Sequence, residues 1–438
     1  MNLKITIAGL AFFLIICGWP LSIRADNGNY QNYLVGDRAA GMGGAVTAST
    51  NDLDACYYNP AGLANVIGSR IALSVSLYGI YRIRVKDGLG PNESYKCRAF
   101  ESIPSTFGSI LKVSDTLALA FAVFTPDEVN FNTQQSFERL PYQPGIVRSD
   151  YYANNIDDAT SWIGPSLGFK ASPRLSIGCG VYLVYRTVNS SQDWTYLYTK
   201  QDGNEIVKVG ARQYRYEYSN YSLMGLAGAQ YSVTDNISLG LTIFSPTLNL
   251  AGKGSVFYGA SLEDSDQSYL YSANDMKSNN RVPTKIVFGA AYVRRGGFTV
   301  EADLSYHFPT SYTELRGQDI WSSEEIRMEI KREAVVNFNL GGEYYIVENY
   351  PLRAGVFTNL SSSSSLDPEK PQVNGEKTDM YGISASIGNE SEHTTINFGV
   401  NYVWGKGKIL GFDEDFQPLE VSARESYLFV FISSAYIF

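Results

Sequence analysis

After its first 25 residues the chain has no apolar run long enough for a transmembrane helix, although hydrophobic residues make up 44% of it. A bundle of membrane helices is therefore excluded. Histidine is almost missing, with only His307 and His393 in 438 residues. Neither stands in a ligand spacing with the dispersed cysteines, so no metal site is expected. Neither has more than ordinary serines near it in sequence, so nothing supports a Ser-His hydrolase, and no enzyme is expected. Cysteine is scarce too: Cys17 falls in the leader, and Cys56, Cys97 and Cys179 give an odd count with no disulfide framework. A pairing of Cys56 with Cys97 stays open. Cationic residues are outnumbered, 35 against 44 acidic ones, and form no cluster, which excludes nucleic acid as a partner.

What is present is alternation. Met1 to Ala25 reads as a secretory leader: Lys4 is positive, Ile5 to Trp19 is mostly apolar, and Ala25 is small at the cleavage position. At the far end Leu428, Val430, Ile432, Tyr436 and Phe438 recur at even spacing, so on a strand they share one face. A terminal aromatic on such a face resembles the last strand of bacterial outer-membrane barrels, where it acts as an assembly signal. The pattern repeats in Leu175 to Tyr185, Ile237 to Ile243 and Phe298 to Tyr306. In Arg70 to Val85, the Ile71–Leu77–Tyr81–Val85 face is read as lipid-facing and Arg82 and Arg84 as lumen-facing. Tyr and Phe, 32 and 22 in number, suit interfacial girdles.

Connection lengths sort themselves. Turn residues cluster at Ser114-Asp115, Ser172-Pro173-Arg174, Thr234-Asp235-Asn236, Arg295-Gly296-Gly297, Glu348-Asn349-Tyr350 and Asn389 to His393. Between them lie long polar stretches, such as Pro126 to Ala159, Asn189 to Asn220 and Ala251 to Arg281. Short and long joins alternate, which predicts an all-β fold: a fourteen-stranded antiparallel transmembrane barrel over 70–438. The segment 26–69, rich in Gly and Ala, is too long for a tail and is expected to fold as a plug inside a lumen that wall side chains alone would not fill.

Two motifs stand out in the plug. Gly41-Met42-Gly43-Gly44 lacks the preceding strand and the Lys-Ser/Thr of a phosphate loop, so its glycines are read as allowing tight packing. Asn59-Pro60 is a stiff bend just before the first strand, a plain turn or a hinge. In the long stretch after the third strand, Phe131, Phe137, Tyr142, Tyr151 and Tyr152 are dense enough to mark either a binding surface or packed loops.

Gly36-Asp37-Arg38-Ala39-Ala40-Gly41-Met42-Gly43-Gly44-Ala45, followed by Tyr57-Tyr58-Asn59-Pro60-Ala61-Gly62-Leu63-Ala64, resembles the hatch of the FadL/TodX family of outer-membrane transporters. Ile163 to Gly168, Ile237 to Leu241 with Phe244-Ser245-Pro246, and Glu301 to Tyr306 resemble its strands in the same order. The resemblance implies passive uptake of long-chain fatty acids or other hydrophobic compounds, without a cofactor. The solute would enter from the outer loops and leave sideways where the third strand kinks. In this chain that strand, Thr116 to Thr125, has no internal Gly, and Pro126 is its first breaker. The implied gate residues are Arg38, Gly41, Gly43, Gly44, Asn59, Pro60, Ala61 and Gly62; the candidate ligand contacts are Phe124, Phe131, Phe137 and Tyr142. A monomer is expected, in contact with outer-membrane lipid and with the barrel-assembly machinery through Phe438, with both termini periplasmic. A family-like barrel that serves as a secretion partner without transporting small molecules is the alternative.

Overall fold

A computed structural model describes residues 28–90, 92–203, 205–261, 268–294, 297–367, 376–412 and 418–438. The expected leader, the Arg295-Gly296 half of one turn and the acidic Asp413-Glu414-Asp415 lie outside them. Eighteen strand segments form one antiparallel sheet. They are β1 (Arg70–Val85), β2 (Tyr95–Lys112), β3 (Leu117–Gln143), β4 (Ile146–Lys170), β5 (Leu175–Lys200), β6 (Ile206–Ser232), β7 (Ile237–Phe244), β8 (Leu248–Ser261) and β9 (Ser268–Ser278). The rest are β10 (Lys285–Arg294), β11 (Phe298–His307), β12 (Thr310–Gln318), β13 (Glu325–Arg332), β14 (Val335–Tyr345), β15 (Pro351–Asn359), β16 (Glu376–Glu390), β17 (Thr394–Phe412) and β18 (Pro418–Ile437).

Fourteen of them close a ring. Each pairs with the next from β1 to β7, β7 pairs with β10, β11 with β14, and β18 returns to β1 from Arg70↔Ile437 to Val85↔Ala423. The remaining four, β8, β9, β12 and β13, are continuations of β7, β10, β11 and β14 beyond short breaks. Pro246, Pro283 and Pro309 stand in three of those breaks, where a residue without an N–H ends the ladder.

Polarity is inverted relative to a soluble barrel. Phe121, Phe338, Phe398 and Leu428 are exposed on the outside, while Glu301, Asp303, Arg353 and Asn397 are buried within. The terminal face behaves as read: Ile432, Tyr436 and Phe438 point outward, and the Phe438 N–H donates to the Ser69 carbonyl at 2.9 Å where the ring closes.

Two expectations need correction. Pro126 to Ala159, Asn189 to Asn220 and Ala251 to Arg281 are not loops: β3 to β6 run for 27, 25, 26 and 27 residues with near-continuous ladders, and β8 and β9 pair over most of the described part of the third stretch. A tilted membrane strand needs about 9–11 residues, so β3 to β6 rise well beyond the bilayer. Their outward faces turn polar there, which mimics a loop in sequence, while Tyr152, Trp194, Tyr196, Tyr214 and Tyr216 keep the inward alternation. The second correction concerns β1. Its register slips between Leu73 and Ser76 against β18 and twice between Ala72 and Ser76 against β2. Such a slip moves every later side chain to the other face. Leu77, Tyr81, Ile83 and Val85 are therefore buried, and Arg82 and Arg84 are exposed outside.

Candidate functional site

Residues 28–66 lie against the inner wall. Two short helices, Arg38–Gly41 and Ala55–Tyr58, precede a 3-10 turn at Pro60–Asn65. Asn59 is fully buried and is more than a turn residue. Its Oδ1 accepts the Ala61 N–H at 3.1 Å, capping that 3-10 turn, and its Nδ2 donates to Thr47 O at 2.8 Å and, across to the wall, to Ala229 O at 3.0 Å. Pro60 supplies the fixed φ that starts the turn. Neighbouring strands meet this bend with glycine: a Cβ on Gly168, Gly178 or Gly228 would collide with Asn59, Pro60 or their neighbours. Ala61 is wholly buried, and a Cβ on Gly62 would strike the Thr50 carbonyl.

The Gly41–Gly44 stretch packs equally closely. Gly41 abuts Ser386, and Gly43 and Gly44, with φ of 65° and 78°, lie on Gly355 and beside Asn339. Arg38 adds the electrostatic tie. Its Nε and Nη2 reach Glu343 at 3.2 and 3.1 Å, and Glu343 also takes Arg353 Nε at 2.6 Å. On the neighbouring strand β11, Asp303 Oδ2 accepts from Val46 N, Thr47 N and Thr47 Oγ1 at 3.1, 3.0 and 2.7 Å, and Glu301 accepts from Ala48 N. Within residues 28–66, Asp54 accepts from Asp37 N and Ala39 N. Burial first, then the charge of Asp52, holds its carboxyl well above the usual range.

The wall has a seam between β2 and β3. Their ladder runs only from Lys112↔Ala118 to Thr106↔Phe124. Beyond it β2 stays with β1, while β3 shifts register between Phe124 and Asp127 and stays with β4. Side chains bridge part of the opening: Glu101 accepts from Asn130 N and Thr133 Oγ1 donates to Lys96 O. The break falls at Thr125-Pro126. Behind it the Tyr33 hydroxyl donates to the Thr125 carbonyl at 2.6 Å, and Asn32 Nδ2 to Asp127 Oδ1 at 2.8 Å.

The candidate ligand contacts separate into two groups. Phe124 belongs to an aromatic cluster beside the seam, with Tyr57 at 5.5 Å and Tyr182 at 6.1 Å; Trp162 stacks on Tyr57 at 5.1 Å. Phe131, Phe137 and Tyr142 lie farther along β3 in the extended wall, not in a loop, and pack into a second cluster with Tyr81, Trp194 and Tyr198. Tyr152 joins that cluster, whereas Tyr151 faces outward.

Three participants escaped the sequence reading. Tyr33 gives no signal beyond being a tyrosine. The bed glycines look like ordinary strand glycines. Lys285 could have been noticed as a lone cation opening the apolar Ile286 to Tyr292 run; its Nζ lies 4.1 Å from the Phe244 ring centre and 5.8 Å from that of Tyr57. Among the described residues no carboxylate forms an ion pair with it. His307 faces the lumen stacked on Tyr30 at 4.4 Å. Cys56 and Cys97 are both buried free thiols, so the pairing left open is not made. Toward the rim of short turns, residues 28–66 border a cavity of about 1030 Å³ whose lining includes Arg38, Asp52, Arg70 and Arg353.

Comparison with known proteins agrees with this geometry. No curated protein sequence matches the chain. Among solved structures, a Pseudomonas aeruginosa FadL homologue superposes with a TM-score of 0.66 at 14% identity, covering 94% of this chain and 100% of its own. The P. putida toluene transporter TodX gives 0.65 at 15%, covering 93% and 99%. The Ralstonia pickettii toluene transporter TbuX gives 0.58 at 13%, covering 93% and 99%. The family model for outer membrane protein transport proteins (OMPP1/FadL/TodX) matches residues 30–437, so the chain belongs to that family: it is an integral outer-membrane transport barrel and not an enzyme.

Proposed function

We propose that this barrel takes up hydrophobic compounds, long-chain fatty acids among them, and that residues 26–69 form the hatch that gates their passage. The observation that carries the reading is the β2–β3 seam with Tyr33 and Asn32 standing in it. A solute that reaches the Phe124 cluster is separated from an opening toward the bilayer by these two hydrogen-bonded side chains. Arg38, Gly41, Gly43, Gly44, Asn59, Pro60, Ala61 and Gly62 hold the hatch against the wall. Phe131, Phe137 and Tyr142 furnish the outer apolar stage, and Phe124 the inner one.

Apolar surface leaving water gains about 25 cal/mol per Å², so binding followed by release into lipid can drive uptake without an energy source. Lys285 adds a preference. An ammonium held against aromatic faces, with no carboxylate paired to it among the described residues, favours a ligand with an apolar body and an anionic head. The protein works as a monomer with both termini in the periplasm, and Phe438 presents its last strand to the assembly machinery.

The experiment is uptake of a labelled long-chain fatty acid and of labelled toluene by cells carrying Lys285→Met, at matched surface amounts. Fatty-acid uptake should fall at low concentration, with toluene uptake unchanged. Equal behaviour toward both would remove Lys285 from recognition, and no uptake of either by the unmutated protein would remove the transport reading.

A further inference from the structure

A second seam lies on another side of the barrel. The β14–β15 ladder stops at Asn339↔Phe357. Neither strand ends there: Val335 to Phe338 of β14 remain paired with β11, and Thr358 and Asn359 of β15 remain paired with β16. The two strands part while each keeps its other neighbour.

Side chains replace the missing backbone bonds. Phe338 N donates to Thr358 Oγ1 at 2.8 Å, Leu360 N to Asn337 Oδ1 at 2.8 Å, and Thr358 Oγ1 to Asn337 Oδ1 at 3.2 Å. The wall closes again above, where Glu333 N donates to Ser362 O at 2.6 Å and Arg332 pairs with Ser363. The result is a window with a floor, a lintel and a stitched middle. Outside it, Val336 and Phe338 are exposed apolar residues.

The inside of this window is covered by the residues just ahead of Tyr33. Gly28 O accepts from Ser362 N and Oγ at 2.9 and 2.7 Å. Asn359, fully buried, accepts from Tyr30 N and Gln31 N at 3.1 Å through Oδ1, and its carbonyl accepts from Asn29 Nδ2 at 2.5 Å. Its Nδ2 donates to Asn32 Oδ1 at 3.3 Å. A single strap of six residues, 28–33, therefore backs the β14–β15 window at one end and the β2–β3 seam at the other.

We propose that the β14–β15 seam is a second lateral opening, released together with the first when the strap 28–33 leaves the wall, so that an apolar solute passes into the bilayer on two sides. Stitches made by side chains break one at a time, whereas a ladder resists parting as a unit, and the strap is the element whose removal both seams share. This rests on the uptake reading, and the experiment separates the two.

Each seam is locked by a cysteine pair, Asn337→Cys with Thr358→Cys for β14–β15, and Glu101→Cys with Asn130→Cys for β2–β3. Cys179 is replaced by Ser in every variant. Uptake of a labelled long-chain fatty acid is followed in cells, oxidised and after a thiol reductant, at matched amounts of heat-modifiable barrel. Two parallel routes of similar barrier predict a roughly twofold fall with either lock alone and background uptake with both, restored by reductant. Full uptake with the β14–β15 lock and background uptake with the β2–β3 lock would overturn the second opening and leave transport standing. Undiminished uptake with both locks would overturn it as well. The reduced form of each variant reports whether it still folds and transports.

Discussion

The Tyr33 hydroxyl and the Thr125 carbonyl meet at 2.6 Å, at the one point on β3 where its ladder with β2 has just ended. That carbonyl would otherwise face a gap, and a buried acceptor without a donor is costly, so the bond favours the closed hatch. Removing only the hydroxyl, in Tyr33→Phe, should weaken closure by about 1 kcal/mol, which is roughly fivefold in the open fraction. Fatty-acid uptake at matched surface amounts should rise. Unchanged or lower uptake would mean that this contact does not limit passage.

Arg38 ties the proposed hatch to β14 through both Nε and Nη2, in the fork geometry that lysine cannot reproduce. Arg38→Lys and Arg38→Met should both leave a closed barrel, since Glu343 keeps Arg353 as a partner. Each should loosen the hatch by about 1.5–3 kcal/mol, the range for charge-assisted bonds. Amide exchange over residues 38–50 should quicken in both variants. Full protection in Arg38→Lys would show that charge alone suffices.

Outside the membrane, Glu93 closes the β1–β2 connection onto the extended wall, sharing Arg148 with Asp150. Burial pushes its carboxyl up to about 8, against the pull of Arg148. A carboxyl raised above its unfolded value of about 4.3 stabilises the packed loop fully below that pH and loses the contribution as pH climbs through 8. Protection of residues 86–90 from protease should therefore drop between pH 6 and pH 9 in the natural protein. The drop should be absent in Glu93→Gln. Equal protection at both pH values in the natural protein would rule the linkage out.

Phe438 ends the strand that closes the ring, with its ring outside and its N–H on Ser69. Phe438→Asp places a charge on a lipid-facing position of the strand through which assembly is expected to begin, and heat-modifiable barrel should nearly vanish from the outer membrane. Normal amounts would show that the terminal aromatic is dispensable.

The sequence made the strand count legible because alternation and turn chemistry are local. Gly, Pro, Asn and Asp mark the short turns wherever the lipid-facing run stops. It hid what depends on register or on a change of surroundings. Nothing in Arg70 to Val85 announces the slip that turns Arg82 and Arg84 outward. The tall walls of β3 to β6 resemble loops in sequence because their outer face meets water and becomes polar. In the site, Asn59-Pro60 and the Gly41–Gly44 stretch were visible because tight packing demands those residue types. Pro126 marked the break in β3. Tyr33, Lys285 and Asn359 act through contacts between segments distant in the chain, and single residues of such common types carry no local mark.

In the proposed mechanism a solute passes only when the hatch moves away from the β3 seam. Asn32 and Asp127 touch across that boundary at 2.8 Å, so Asn32→Cys with Asp127→Cys can tie the hatch to the wall without touching the barrel ladder. The measurement is uptake of a labelled long-chain fatty acid by cells carrying this pair in a Cys179→Ser background, oxidised and then reduced, at equal surface amounts. The oxidised form should show background uptake and the reduced form recovery to the unlocked level; equal uptake in both forms, with the disulfide confirmed, would contradict a moving hatch.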